Sequence, residues 1–167
     1  MKTNIQSLMN KIAEEEKRIG SINYTIKNHI VSTSIQELDG RVTITEDFKK
    51  DFQKELKELE EASERVCYYK RVLYEKNNSF TLSDGRTIQA AIVENTQLRS
   101  LKQTYETFLT YKNRKSRISE SHDAYFECRT INFDKEGIEK KIKKLDEKIA
   151  QTDFEISKLN SKEFELD

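Results

Sequence analysis

Two histidines, two cysteines and one basic run hold most of the chemistry open to this chain. His29 and His122 lie far apart, and neither has a Cys, Asp or Glu partner at metal-ligand spacing. Cys67 and Cys128 match no CxxC pattern. Burial as free thiols is the expectation for both, ahead of a disulfide between them, since cysteine is among the most buried residue types. No glycine-rich phosphate loop, GxSxG, HExxH or EF-hand pattern occurs. No catalytic residue, cofactor, metal site or small-molecule substrate is read here, and a non-enzymatic protein is expected.

Lys112, Arg114, Lys115 and Arg117 form the densest basic run, with Tyr105, Tyr111, Tyr125 and Phe126 near in sequence. A basic loop beside aromatics can grip single-stranded nucleic acid through phosphate contacts and base stacking. A solvated connector is the plainer reading. The chain carries 30 Lys+Arg against 30 Asp+Glu, so it lacks the basic excess of a typical nucleic-acid binder.

Glu15 and His29 matter for their positions. Ile5, Leu8, Ile12, Ile19, Ile22 and Ile26 fall alternately three and four residues apart, and Glu15 and His29 fill the places that complete the series. Such a seam is coiled-coil-like. A buried carboxylate needs a cationic or hydrogen-bonding partner. Glu15 is therefore read as a register-fixing seam residue, and His29 as a core or interface histidine able to make assembly pH-sensitive.

The elements that carry these residues follow from composition. The chain has 167 residues, no proline and four glycines, which favours long helices. Apolar residues make up 35% and charged residues 36%, which suits helices that each bury one narrow stripe. Helices are expected over about 3–30, 46–77, 88–110 and 134–162, with irregular or β segments over about 31–45, 78–87 and 111–133. Gly20 marks a kink or a close contact in the first helix. The second carries Phe52, Leu56, Leu59, Val66 and Leu73, with Thr45 as its N-cap. The third carries Ile88, Ile92, Leu98, Leu101, Tyr105, Phe108 and Leu109. The fourth, capped by Asp134, carries Ile138, Ile142, Leu145, Ile149, Ile156 and Leu159.

Asp-Gly-Arg occurs twice between these helices, at Asp39-Gly40-Arg41 and Asp84-Gly85-Arg86. Glycine adopts positive φ without a Cβ clash, so each tripeptide reads as a reversal. Thr87 reads as the cap of the third helix. A hairpin is expected in 111–133, turning near Glu120–Asp123, and could share a sheet with Arg41–Thr45. The fold expected is mainly α: one domain, an elongated antiparallel coiled-coil-like bundle of four long helices with a small β-hairpin or arm. Narrow seams leave room for self-association, so a homo-oligomer is expected. The N-terminal residues read as no signal peptide, and no apolar stretch reaches the ~20 residues of a spanning helix, so the cytoplasm is expected.

Asn77-Asn78, Leu82 and Asp84-Gly85-Arg86-Thr87-Ile88 are similar to an "LxDGRTL" stretch that precedes a helix in a small bacterial family labelled septicolysin. Arg129–Asn160 resembles the strand-then-long-helix ending of the same family. The resemblance covers about half the chain. It implies a mostly helical fold and supplies no catalytic residues. Its haemolysin-like label implies a membrane-active cytolysin as the alternative to a structural or scaffolding role, with single-stranded nucleic-acid binding through 112–117 a third reading.

Overall fold

The computed structural model describes residues 2–120 and 123–166. Its elements run β1 (Lys2–Thr3), α1 (Ile5–Thr25), a 3-10 turn (Ile26–His29), β2 (Thr33–Gln36), β3 (Val42–Glu46), α2 (Lys49–Ser79), α3 (Ile88–Leu109), β4 (Arg114–Glu120), β5 (Asp123–Arg129), α4 (Lys135–Asn160) and β6 (Phe164–Glu165). The chain divides into two compact units, residues 1–79 with 160–167, and residues 80–159.

This corrects the expected bundle of four long helices. The fold is mixed: four helices carry three separate two-stranded antiparallel sheets, β1-β6, β2-β3 and β4-β5. The β-branched and aromatic runs that interrupt the helical periodicity pair as hairpins of their own. The expected sheet shared by Arg41–Thr45 and the 111–133 segment does not form, because each of the two strands finds its partner across its own turn. Thr45 does not cap a helix. It lies in β3, where its hydroxyl donates to the Thr33 carbonyl at 3.0 Å, and α2 begins at Lys49.

The first unit is a helix, a hairpin and a returning helix. Asn4 caps α1, its side chain accepting from the Ser7 amide at 2.8 Å. Ile5, Leu8, Ile12, Ile22 and Ile26 are buried, as is Ala62 on α2. A buried Ile or Leu side chain contributes roughly 1.5–3 kcal/mol. The antiparallel course of α1 and α2 is tied by Arg18 to Glu58, Lys70 to Glu16 and Arg65 to Glu15. Lys2–Thr3 pairs with Phe164–Glu165, joining the two ends of the described chain in one ladder.

The second unit repeats that order. Thr87, in extended conformation, caps α3 by accepting from the Ala90 amide at 3.2 Å. Asp134 caps α4, its carboxylate accepting from the amides of Glu136 and Gly137. Leu82, Ile88, Ala91, Ile138 and Ile149 are its buried apolar residues. The inner face of α3 departs from the expected stripe. Ile92 and Leu101 are 39% and 41% exposed, while Ala91 and Asn95 are buried. The helix is rotated so that a small residue and an amide, rather than two large apolar residues, face inward.

Candidate functional site

The two Asp-Gly-Arg stretches fold alike. In the first, the Gly40 amide donates to the Glu37 carbonyl at 2.9 Å and the Glu37 amide to the Arg41 carbonyl at 2.8 Å. In the second, Gly85 donates to Leu82 at 3.0 Å and Leu82 to Arg86 at 2.8 Å. Gly40 and Gly85 have φ of 88° and 85°. Each is the left-handed third residue of a three-residue hairpin loop. The aspartate locks the loop, accepting from the backbone amide of the arginine at 3.0 Å and from its Nε at 2.7 Å in the first loop and 2.8 Å in the second.

The loops differ in what the arginine reaches. Arg41 adds only Glu37, at 3.3 Å, and stays 75% exposed. Arg86 also bonds Glu94 on α3, whose other carboxylate oxygen takes Lys148 on α4 at 2.6 Å. Hydrogen bonds from Lys148 first, then Arg86, hold the Glu94 carboxyl below its ordinary value. The Asp84 carboxyl is lowered chiefly by its side-chain hydrogen bond from Arg86, then by the Arg86 amide. Beside this clamp, Glu155 accepts from the Ser83 amide at 2.9 Å and hydroxyl at 2.7 Å. Asp84, Gly85, Arg86 and Thr87 therefore sit at a saturated structural joint. No described group of three or more His, Cys, Asp or Glu is placed to hold a metal ion.

Glu15 and His29 both face α2 within the first unit. Arg65 meets Glu15 with two parallel bonds, and the Glu15 carboxyl is lowered mainly by that hydrogen bonding. His29 Nδ1 lies 2.9 Å from Glu55 Oε2, and Phe48 stacks on the imidazole with centroids 5.0 Å apart. His122 lies outside the described residues. Cys67 and Cys128 are free and exposed, against the burial expected of them.

The open surfaces are the hairpins. In β2-β3, Ser34 faces Ile44 and Gln36 faces Val42, and Ile35 pairs with Thr43. Every residue of these two strands is exposed. Ile35, Val42 and Ile44 are 58%, 59% and 62% exposed, and Leu38 at the tip is fully exposed. In β4-β5 the register sets Arg114 opposite Arg129, Lys115 opposite Cys128 and Arg117 opposite Phe126. Arg114, Lys115 and Arg117 are thus strand residues rather than a loop, and alternation separates Arg114 from Lys115 onto opposite faces. Lys112 precedes the strand. With Arg114, Arg129, Tyr111 and Phe133 it lines a cavity of about 450 Å³ at the foot of the ribbon. Sequence reading missed Arg129, because only strand pairing brings it beside Arg114.

One comparison gives a relative of the fold. The chain is similar to a solved structure. That structure is described as a functionally unknown conserved protein from Corynebacterium diphtheriae, with a TM-score of 0.65 at 20% sequence identity, covering 99% of this chain and 100% of the other. At that identity the likeness shows the fold alone. No family model and no curated protein matches the chain.

Proposed function

We propose that the protein is a non-enzymatic, cytoplasmic scaffold that self-associates through the β2-β3 hairpin. The observation that carries this reading is a two-stranded ribbon with both faces open to solvent. An isolated two-stranded hairpin is marginal in water, and exposed apolar patches of this kind mark association surfaces. The middle of one face, Ser34, Gln36, Val42 and Ile44, carries no charge. A second copy can therefore meet it about a two-fold axis without like charges opposing each other. Glu46 closes the end of that face, its carboxylate accepting from the Thr33 hydroxyl at 3.2 Å. The charges of the turn are matched internally, Arg41 to Asp39 and Glu37. Exposed, unpaired thiols at Cys67 and Cys128 suit a reducing compartment.

Light scattering coupled to size exclusion tests this. The wild-type chain should elute as a defined oligomer, and Val42→Lys combined with Ile44→Lys should return it to monomer with its helical circular dichroism intact. A monomeric wild type at the highest concentration reached would reject the reading.

The second reading, a membrane-active protein like the septicolysin label, draws on the same hairpin, where Leu38 at the tip and Ile35 on β2 could enter a bilayer surface. No described helix is long and apolar enough to cross a membrane. Dye release from liposomes that disappears in Leu38→Asp would favour this reading over the scaffold.

A further inference from the structure

The β4-β5 ribbon poses a different problem from its apolar counterpart. Arg114 and Arg129 stand directly opposite each other in the ladder, on one face. Like charges at such a pair are destabilising, with Cβ atoms about 4.5–5.5 Å apart. Glu127, on the same face one step along, accepts from Arg129 Nε at 2.8 Å. No described acid pairs with Arg114 or Lys112.

Those three cations line the cavity of about 450 Å³, with Thr130, Asn132 and the aromatic walls Tyr111 and Phe133, and no acidic residue among its lining. The site is built. Asn113 Oδ1 accepts from the Ile131 amide at 2.8 Å, joining the two chain segments that flank the ribbon. Phe133 is held against Phe108, centroids 6.0 Å apart, and Phe108 against Tyr105. Tyr111 is 63% exposed, and Tyr125, farther along the same face as Arg114, is 52% exposed. The volume falls within the roughly 300–1,000 Å³ of small-ligand sites.

We propose that this cavity and the Arg114–Arg129 face of the ribbon bind single-stranded nucleic acid, one nucleotide seated between Lys112, Arg114, Arg129 and the Tyr111–Phe133 walls, with the strand continuing toward Tyr125. Arginine forks and a lysine meet phosphate oxygens, and exposed aromatic rings accept unstacked bases. A duplex has its bases stacked inside and offers no free π-face to these rings, so the single strand is the form that fits. The opposite face of the ribbon is unsuited. Lys115 there lies over the Phe126 ring at 4.4 Å, and neither Lys115 nor Arg117 lines the cavity. The proposal is independent of self-association, since it rests on the other hairpin.

The test is fluorescence anisotropy of a labelled single-stranded 12-mer with the intact protein. Wild type should bind, with a log–log salt slope near −2, from about −0.7 for each of three phosphate contacts. Arg114→Glu with Arg129→Glu should weaken binding at least about tenfold and flatten the slope. Lys115→Glu with Arg117→Glu, the same charge change on the other face, should hold within about threefold. Tyr111→Ser, an exposed change, should weaken binding by about fivefold or more through lost stacking. Circular dichroism and oligomeric state checked on each variant separate loss of binding from loss of fold. No binding by wild type would overturn the proposal. So would equal losses from the two double variants, tighter binding of a duplex of the same sequence, competition by inorganic polyphosphate as effective as the oligonucleotide, or binding of a free mononucleotide as tight as that of the oligonucleotide.

Discussion

Arg65 holds Glu15 in a fork: Nε donates to Oε1 at 3.0 Å and Nη2 to Oε2 at 3.1 Å, between α2 and the middle of the α1 seam. The carboxylate interrupts a row of isoleucines and would be costly there alone. The hydrogen bonds from Arg65, ahead of the charges of Arg65 and Arg18, hold its carboxyl below the ordinary glutamate range. A depressed acid binds its proton less readily folded than unfolded, so stability rises with pH across the interval. The contribution is complete above about pH 4.3, the ordinary glutamate value, and is lost as pH falls through the lower folded value. Thermal melts of wild type and Glu15→Gln should therefore converge below that range and separate above it. Parallel melting curves from pH 7 to pH 3 would count against the assignment. Glu15→Leu combined with Arg65→Met should match or exceed wild type, since an ion pair replaced by packed apolar side chains is often neutral or stabilising.

The twin Asp-Gly-Arg loops allow a controlled comparison. Arg41 and Arg86 both bond their own aspartates through the backbone amide and Nε, while Nη2 goes to Glu37 in the first turn and to Asp84 in the second. Only Arg86 reaches beyond its own turn, to Glu94 and, at 3.5 Å, to the Thr152 hydroxyl. Arg41→Ala should leave the thermal midpoint within about a degree or two, as surface changes do. Arg86→Ala should lower it by several degrees, because Glu94 and Asp84 lose a shared partner. Equal effects would mean that the clamp adds nothing to the turn.

Asn95 is 1% exposed and only half satisfied. Its Nδ2 donates to Asp153 Oδ1 at 2.9 Å and to the Ile149 carbonyl at 3.4 Å, while Oδ1 has no partner. An unmet buried acceptor costs about 1–3 kcal/mol, whereas an apolar replacement of similar shape leaves nothing unmet on that side. Asp153 keeps Arg99. Asn95→Leu should therefore be neutral or stabilising in chemical denaturation. Asn95→Asp should cost about 3 kcal/mol or more, since it buries an unpaired charge against the Asp153 carboxylate. A destabilised Asn95→Leu with a tolerated Asn95→Asp would point to a hidden donor facing Oδ1.

These residues also show which parts of the molecule a sequence can reveal. The ridge Ile5, Leu8, Ile12, Ile22 and Ile26 is visible because burial follows helical period, and these are the buried residues of α1 and its 3-10 turn. The Asp-Gly-Arg loops are visible because positive φ selects glycine. The rotation of α3 is not, because Ile92 and Ala91 are adjacent and hydrophobicity favours the larger. Nor is the β1-β6 ladder, since two residues have no period. The pairing of Arg114 with Arg129 depends on register, which a one-residue slip would abolish. The expected four-helix bundle fails because it counts helical seams and allows a hairpin only in 111–133, leaving 31–45 and the residues of β1 and β6 without ladders of their own.

Two helical glycines have opposite reasons for being there. Gly20 lies inside α1, and a Cβ added to it would meet nothing within 4 Å, so it is neither a close contact nor a steric requirement. Alanine there should gain the full helix-propensity difference of about 1 kcal/mol. Gly137 lies in the first turn of α4, where a Cβ would come within 2.7 Å of the Asp134 carboxylate that caps the helix. The Gly137 amide is itself one of the donors to that carboxylate, at 2.9 Å. Alanine at 137 gains the same propensity but displaces a cap worth about 0.5–2 kcal/mol, so the two effects offset. Urea denaturation should show Gly20→Ala stabilised and Gly137→Ala unchanged or slightly weakened. In an Asp134→Ala background, where no cap remains to be displaced, Gly137→Ala should become stabilising. Failure of that reversal would show that the glycine makes no room for the cap.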